Sequence, residues 1–291
     1  MSEVGTRRRG PGWVRLGHGL HVPASAAGLA ERLREWSRVV PDSAVFTHLT
    51  AAELRGWWLP APAPGPAPVR IAVGEDERHP QRSGLVVTRL AEPPEIVLVS
   101  GLRVATAAET LLAVARDVGL LDLVALGDSA LRRGECTLEE LRAAAGRRRR
   151  GAPRLRTVIP LLDARSESPW ESIMRVLFRA ADLEVEPQRV IHDSGGRFVA
   201  RADLWLVGTR RIAEYDGEVH RDQATHRRDL DRDRRLAEAG WQRYGYTAVD
   251  LLQGGGGVIA SADALLGRSW DPRRLQRWRA LVQDSSYGRK R

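Results

Sequence analysis

The sequence predicts an α/β protein built from two domains. Its 291 residues exceed the usual size of a single domain. In the second half, a helix, three strands, a long helix and a fourth strand follow one another, an order typical of a mixed sheet flanked by helices. In the first half, short strands mix with helices, which indicates a separate α+β domain ending near residue 160.

The first half opens with a predicted hairpin. Residues 12–23 alternate apolar and polar side chains around a glycine turn. Helices are predicted at 27–39 and 46–58, and Thr50 with Glu53 matches a capping box at the start of the second. The proline-rich run at 60–68 excludes a helix or a central strand. The later elements of this half are predicted as strands at 69–73 and 85–89, and as helices at 105–118, 121–133 and 138–145.

A run of four arginines at 147–150 closes the first half. We favour a solvated linker between the domains over a nucleic-acid patch, because charge runs are most often solvated. In the second half, helices are predicted at 168–181, 221–239 and 248–252, and strands at 185–192, 198–207, 211–215 and 241–246. Gly240 is expected to end the long helix in the C′ position.

Composition narrows the class of partner and the compartment. The formal charge is +9, supplied almost entirely by arginine, and Lys290 is the only lysine. A basic surface attracts polyanions, so DNA is expected before a membrane. The single cysteine, Cys136, excludes an internal disulfide and fits a cytoplasmic protein. No apolar run reaches the length of a membrane span, and no apolar segment of a secretory signal follows the basic N-terminus.

Three acids in the second half could form a metal site. Glu214 and Asp216 are two residues apart in a predicted strand, so their side chains project to one face. Asp203 in the preceding strand joins them if the two strands form a hairpin. Such acids repel one another unless a hard cation such as Mg²⁺ or Mn²⁺ binds between them. The alternative is that they are solvated or paired with nearby arginines: Arg201, Arg210 and Arg211.

Glu171 and His220 each have two interpretations. Ser168-x-x-Glu171 with Pro169 matches a capping box, so the Glu171 carboxylate could simply bind backbone at a helix start. His220 could bind a metal, donate a proton or lie exposed at the start of a helix. The helix at 221–240 is predicted from charge alone to be a solvated face with i,i+4 ion pairs.

A longer series of residues carries a family resemblance. Its members are Ser168-x-x-Glu171-Ser172-x-x-Arg175, Gln188, Arg201-x-Asp203, Ala213-Glu214-Tyr215-Asp216-Gly217-x-x-His220, Asp229-x-x-Arg232 and Leu236-x-x-x-Gly240-Trp241. This series resembles the DUF559 family, which looks like the very-short-patch-repair branch of PD-(D/E)xK endonucleases. The resemblance implies a restriction-endonuclease-like fold over roughly 168–252. It also implies that Glu171, Asp203 and Glu214 hold Mg²⁺ or Mn²⁺, with Asp216, His220, Asp229 and Arg232 completing the catalytic set.

Two positions depart from the family pattern. The superfamily lysine that should stand two residues after Glu214 is replaced by Asp216, so His220 or Arg232 would have to supply the positive charge. Where relatives tend to carry an arginine in the strand after Gly-Trp, this chain has Gly245.

The first half resembles proteins with AbiEi-type antitoxin domains, through GWVRLGHGLHVP, VFTHLTAAELRGWWLP and GLRVATAAETLLAVA. The resemblance implies a winged helix that is truncated here, because only a dozen residues precede the hairpin. The expected division is an AbiEi-like α+β domain at 11–160, a nuclease-like domain at 161–268 and a basic tail at 269–291.

The leading functional hypothesis is a Mg²⁺-dependent DNA endonuclease, or a nicking or repair nuclease, that hydrolyses phosphodiester bonds. One alternative is a non-enzymatic antitoxin or transcriptional regulator that binds DNA and a cognate toxin. Another is an inactive nuclease fold that serves as an interaction module.

Overall fold

The computed structural model describes residues 13–17, 20–23, 28–62, 67–77, 80–217 and 223–288. The helices in these ranges are α1 (Leu29–Ser37), α2 (His48–Leu54), α3 (Ala107–Val114), α4 (Leu120–Arg132), α5 (Leu138–Gly146), α6 (Ala152–Val158), α7 (Pro169–Ala180), α8 (Gln223–Glu238), α9 (Ala248–Leu252), α10 (Gly255–Leu265) and α11 (Gln276–Asp284). The strands are β1 (Trp13–Gly17), β2 (Leu20–Pro23), β3 (Val45–Phe46), β4 (Val69–Gly74), β5 (Leu85–Leu90), β6 (Ile96–Val99), β7 (Leu102–Ala105), β8 (Val185–His192), β9 (Phe198–Leu206), β10 (Arg211–Tyr215) and β11 (Gln242–Tyr246). Short 3-10 turns lie at Ile159–Leu161 and Pro272–Leu275.

The chain divides into two compact units, 1–117 with 138–155, and 118–137 with 156–291. Both contain helices and a mixed sheet, so the predicted α/β class is confirmed. The units divide the chain differently from the sequence-based boundaries. The segment 118–137, which contains α4, belongs to the second unit. So does the C-terminal segment, where Asp122 at the start of α4 accepts hydrogen bonds from the Ser286 N–H at 2.9 Å and hydroxyl at 2.6 Å.

The first unit is a five-stranded sheet in the order β5-β4-β3-β7-β6, together with the β1–β2 hairpin. The predicted hairpin is confirmed, with Val14 opposite Val22. The sheet and α1 enclose a core that includes Leu33, Trp36 and Ile71. Removing such side chains from water is the main stabilising contribution of this unit.

The predicted cap at Thr50 is wrong. The N-cap of α2 is Thr47, and Thr50 lies one turn inside the helix. The hydroxyl of Thr50 accepts a hydrogen bond at 2.9 Å from the backbone N–H of Arg70 in β4. A buried hydroxyl needs a hydrogen-bond partner. The Thr50 hydroxyl finds this partner in the neighbouring strand and not in a backbone N–H at the start of the helix.

The second unit is a four-stranded sheet in the order β11-β10-β9-β8. Strands β8, β9 and β10 run antiparallel in sequence order, and β11 returns through α8 to lie parallel to β10. Gly240 ends this crossover with φ +77, as predicted for a C′ glycine. The predicted order of helix, three strands, helix and strand is confirmed.

The amphipathic helix α7 buries one face in the second unit. Ile173, Leu177 and Phe178 on this face are nearly inaccessible to water. Arg175 is also fully buried and forms an ion pair with the buried Asp128 of α4. This contact fixes the N-terminal half of α7, which presents Glu171 at its first turn.

In the described part of the chain, every helix is too short or too polar to cross a bilayer.

Candidate acidic site on the second sheet

The register of the second sheet places Asp203 beside Glu214. Ala213 in β10 lies opposite Leu204 in β9, and one further step along these antiparallel strands brings Glu214 opposite Asp203. Residues directly opposite one another project to the same face of a sheet. The hairpin arrangement expected from the sequence is therefore present, and it brings these two carboxylates together.

Gln188 extends this row to the outer strand β8. Its neighbours Pro187 and Arg189 lie opposite Leu204 and Ala202, which puts Gln188 next to Asp203. Its φ of +56 lies in the left-handed region, an uncommon conformation for a residue with a Cβ. Backbone strain of this kind is concentrated at functional sites. The amide nitrogen of Gln188 donates a hydrogen bond at 2.9 Å to a carboxylate oxygen of Glu171.

Glu171 approaches the row from the first turn of α7. The backbone N–H of Glu171 donates to the Ser168 hydroxyl at 3.2 Å, so Ser168 is the predicted N-cap. The Glu171 carboxylate accepts a hydrogen bond at 2.8 Å from the backbone N–H of Glu167, one residue before the cap. The capping interpretation thus accounts for one carboxylate oxygen, Oε2. Burial raises the pKa of Glu171.

Asp203 lies between the other two acids. Burial raises its pKa to about 7, and the negative charges of Glu171 and Glu214 add to the rise. The backbone N–H of Tyr215 donates to its Oδ2 at 3.0 Å and opposes the shift. The charges of both neighbouring carboxylates therefore act on Asp203, as expected for a cluster of like charges.

Two arginines neutralise Glu214, which is 6% exposed. Arg232 of α8 forms a bidentate ion pair with it, and Arg243 of β11 donates to its Oε2 at 2.6 Å. Arg243 also donates to Asp216 at 2.6 Å. The arginine-pairing alternative therefore applies to Glu214 and Asp216, but the partners are Arg232 and Arg243 and not the arginines expected from the sequence.

The arginines named in that alternative lie elsewhere. Arg201 pairs with Glu167 at 2.7 Å, while its backbone carbonyl accepts a hydrogen bond from Arg232. Arg211 is buried against the ring of Tyr244, 3.6 Å from its centroid, and donates to Ser261. Arg210 stacks on the ring of Trp241.

The carboxylates of Glu171, Asp203 and Glu214 are neighbours, but they do not form a set of metal ligands. In the ranges that the structure describes, no group of three or more acidic, histidine or cysteine side chains is arranged to hold a metal ion. The reason is visible in the contacts, since Glu214 binds arginines and Glu171 binds backbone and Gln188. Metal binding by Glu171, Asp203 and Glu214 stays a prediction.

Two further members of the predicted catalytic set fall outside the described structure. His220 lies outside the described residues. Asp229 lies in α8, but its side chain is likewise outside the description.

Arg243 belongs to this site although neither the spacing of the acids nor the family pattern indicated it. The family pattern has an arginine where this chain has Gly245, which lies opposite Glu214 in the parallel β10–β11 pair. A Cβ on Gly245 would lie 1.9 Å from an oxygen of Asp216, so the Asp216 carboxylate occupies the space above this glycine. Arg243 is two residues earlier on the same face, a spacing that strand alternation could have indicated.

Comparison with known proteins gives relatives without a described activity. No family model matches the chain. Two uncharacterized proteins of Mycobacterium tuberculosis, one from strain CDC 1551 / Oshkosh and one from strain H37Rv, are 38% identical to it over 148 residues. The match covers 49% of this chain, which spans about half the length (54%) of each relative. No solved structure matches.

Proposed function

We propose that the second unit is a metal-dependent nuclease domain, restriction-endonuclease-like and of DUF559 type, that hydrolyses phosphodiester bonds in DNA. The observation that carries the proposal is the row of Gln188, Asp203 and Glu214 across three strands, with Glu171 joined to it from the start of α7. Acids from a helix and two strands that meet on one sheet face are the arrangement expected for such a site.

The donor atoms fit a hard divalent cation. All are carboxylate oxygens, which Mg²⁺ and Mn²⁺ prefer. Within the described residues, the hydrogen bonds from Glu167 and Gln188 to Glu171 both end on Oε2, and the one from Tyr215 to Asp203 ends on Oδ2. Positive charge between them would offset the repulsion that contributes to the raised pKa of Asp203. A cation held by Glu171, Asp203 and Glu214 would supply Lewis-acid activation of water and charge stabilisation at the phosphate.

Arg232 and Arg243 are proposed to take the place of the missing lysine. Each has a guanidinium at the acidic row, only 29% and 22% exposed. An arginine that exchanges Glu214 for a phosphate oxygen keeps a charge-assisted hydrogen bond, because guanidinium geometry matches both carboxylates and phosphates. Release of Arg232 would also free Oε1 of Glu214 for a cation, because Arg243 donates to Oε2.

The test is DNA cleavage by the full chain with Mg²⁺ or Mn²⁺. We expect Glu214→Gln to abolish cleavage, because glutamine keeps the shape but lacks the charge that a cation requires. The matched control is Glu186→Gln, which alters a half-exposed carboxylate paired with Arg189 on β8 and should leave cleavage unchanged. Thermal melting of both variants shows whether the fold is retained. Wild-type protein that cuts neither plasmid, mismatched nor single-stranded DNA with either metal would contradict the proposal.

A second candidate is a non-enzymatic protein, either an AbiEi-type antitoxin or transcriptional regulator that binds DNA and a cognate toxin, or an inactive nuclease fold that serves as an interaction module. The neutralisation of Glu214 by two arginines favours the absence of catalysis. If the protein is the DNA-binding regulator, duplex DNA binds without added metal and Glu214→Gln leaves binding intact. The nuclease and the regulator both require affinity for DNA that falls with salt, because phosphate contacts release counterions. Affinity that is absent, or that does not change between low and moderate salt, would count against both.

A further inference from the structure

The first unit contains a cavity of about 700 Å³ whose wall is rich in arginine. Arg89 of β5 and Arg116 after α3 contribute to the wall, together with the run at 147–150. Glu92 is the one acid among the described lining residues. Apolar side chains, including Val87 and Leu112, complete the lining. The cavity therefore combines positive charge with an apolar surface.

Half of this positive charge is already compensated. Arg149 donates to Glu109 at 2.6 Å, and Arg147 forms an ion pair with the other oxygen of the same carboxylate. Glu109 is only 2% exposed, so the two arginines hold the run against the body of the unit. Arg116 lies 3.3 Å from Asp117. The solvated linker favoured from the sequence is thus an anchored segment within the first unit.

The other three arginines lack an acidic partner. Within the described residues, no carboxylate forms an ion pair with Arg89, Arg148 or Arg150, and all three side chains are exposed. Arg89 donates to the backbone carbonyl of Glu77, at 3.2 Å. Like charges on one wall repel one another, and an anion between them would remove this repulsion. Because Arg147 and Arg149 are bound to Glu109, the backbone of Arg148 and Arg150 is placed at the cavity before any ligand binds.

His48 gives the wall a second unusual feature. Its φ is +58, a left-handed conformation rare for a residue with a side chain and often found at ligand clamps. Burial lowers the pKa of His48 to about 4, so the ring is neutral. Its Nδ1 accepts from the backbone N–H of Leu49, and the remaining Nε2–H donates to Asp117 at 2.8 Å. Among the described lining residues, the positive charge therefore comes from arginine.

We propose that this cavity binds a small phosphate-bearing ligand of about the size of a nucleotide. The volume is in the range of pockets that enclose small molecules. Guanidinium groups bind phosphate oxygens through paired, charge-assisted hydrogen bonds, and Arg89, Arg148 and Arg150 are available for this. Val87 and Leu112 offer an apolar contact for the rest of the ligand. The site lies in the first unit and does not depend on the nuclease proposal.

The test is calorimetric titration of the full chain with ADP and, separately, with inorganic pyrophosphate. The cavity variant is Arg148→Ala with Arg150→Ala. Its matched control is Arg103→Ala with Arg142→Ala, which removes the same charge from exposed positions of the first unit outside the lining. We expect the cavity variant to bind ADP at least about tenfold more weakly than wild type, because two charge-assisted hydrogen bonds are lost. The control should bind within about twofold of wild type, since exposed charges contribute little.

The probes separate the parts of the ligand. Binding of both supports the proposal, and tighter binding of ADP assigns the nucleoside to the apolar wall. Three outcomes would overturn the proposal. The first is that neither probe binds at about 1 mM, and the second is that both double variants weaken binding equally. The third is that ADP does not bind, while duplex DNA binds more weakly to the cavity variant alone. The last result would make the arginine run a nucleic-acid surface.

Discussion

Replacement of Asp128 by asparagine should destabilise the second unit strongly. Asp128 and Arg175 form an ion pair in which both side chains are fully inaccessible to water. Asp128 also accepts hydrogen bonds from the Ser172 hydroxyl at 2.6 Å and from the backbone N–H of Asp163 at 2.7 Å. Asparagine retains the size and part of the hydrogen bonding but leaves the guanidinium of Arg175 without a counter-charge.

The magnitude follows from that uncompensated charge. Removing one partner of a buried ion pair costs about 3–5 kcal/mol of unfolding free energy, because the other charge cannot be solvated. In domains of about 150–250 residues each kcal/mol lowers the melting temperature by about 2–4 °C, so a fall of about 6–20 °C is expected.

Denaturant unfolding followed by tryptophan fluorescence measures the effect. The control is Asp231→Asn, the same substitution in an ion pair with Arg234 whose two side chains are 68% and 71% exposed. This control should cost less than about 0.5 kcal/mol, as exposed helix pairs do. If the two variants unfold within about 1 kcal/mol of each other, the reasoning is refuted, and Asp128 would then carry its proton in the folded protein.

Two further perturbations address the acidic site. The contribution of Asp203 to wild-type stability should fall as pH rises from about 4 to about 7, because its folded pKa is raised from 3.8 to about 7. Asp203→Asn removes this loss. The stability of the variant relative to wild type should therefore rise by up to about 4 kcal/mol between about pH 4 and pH 8. A difference that does not change with pH would contradict the raised pKa of Asp203. Gly245→Ala puts a Cβ 1.9 Å from an Asp216 oxygen and should destabilise by about 1 kcal/mol, the cost of displacing that side chain and its contact with Arg243. The control Gly257→Ala meets nothing within 4 Å in α10 and should stabilise by a similar amount, so equal melting shifts would argue against crowding at Gly245.

Sequence patterns predicted long elements and missed short ones. Strands β8 and β9 have eight and nine residues, enough for alternation to be visible. Strand β3 has only two residues, too few for a periodic signal. Its place in the first sheet depends on backbone hydrogen bonds to distant strands, which local sequence does not encode.

The sequence alone determined the local features of this protein: the order of elements in the second unit, the cap at Ser168 and the end of α8 at Gly240. Each depends on residues a few positions apart, where backbone geometry is set by neighbours. Only the tertiary structure decided the partners of the charges. Glu214 binds Arg243 because β11 returns parallel to β10, and Arg147 binds Glu109 because the arginine run packs against α3. The chain has many arginines that could pair with each acid. Burial and strand register decide which arginine does so, because a charge that is removed from water needs a partner at the place where the fold puts it.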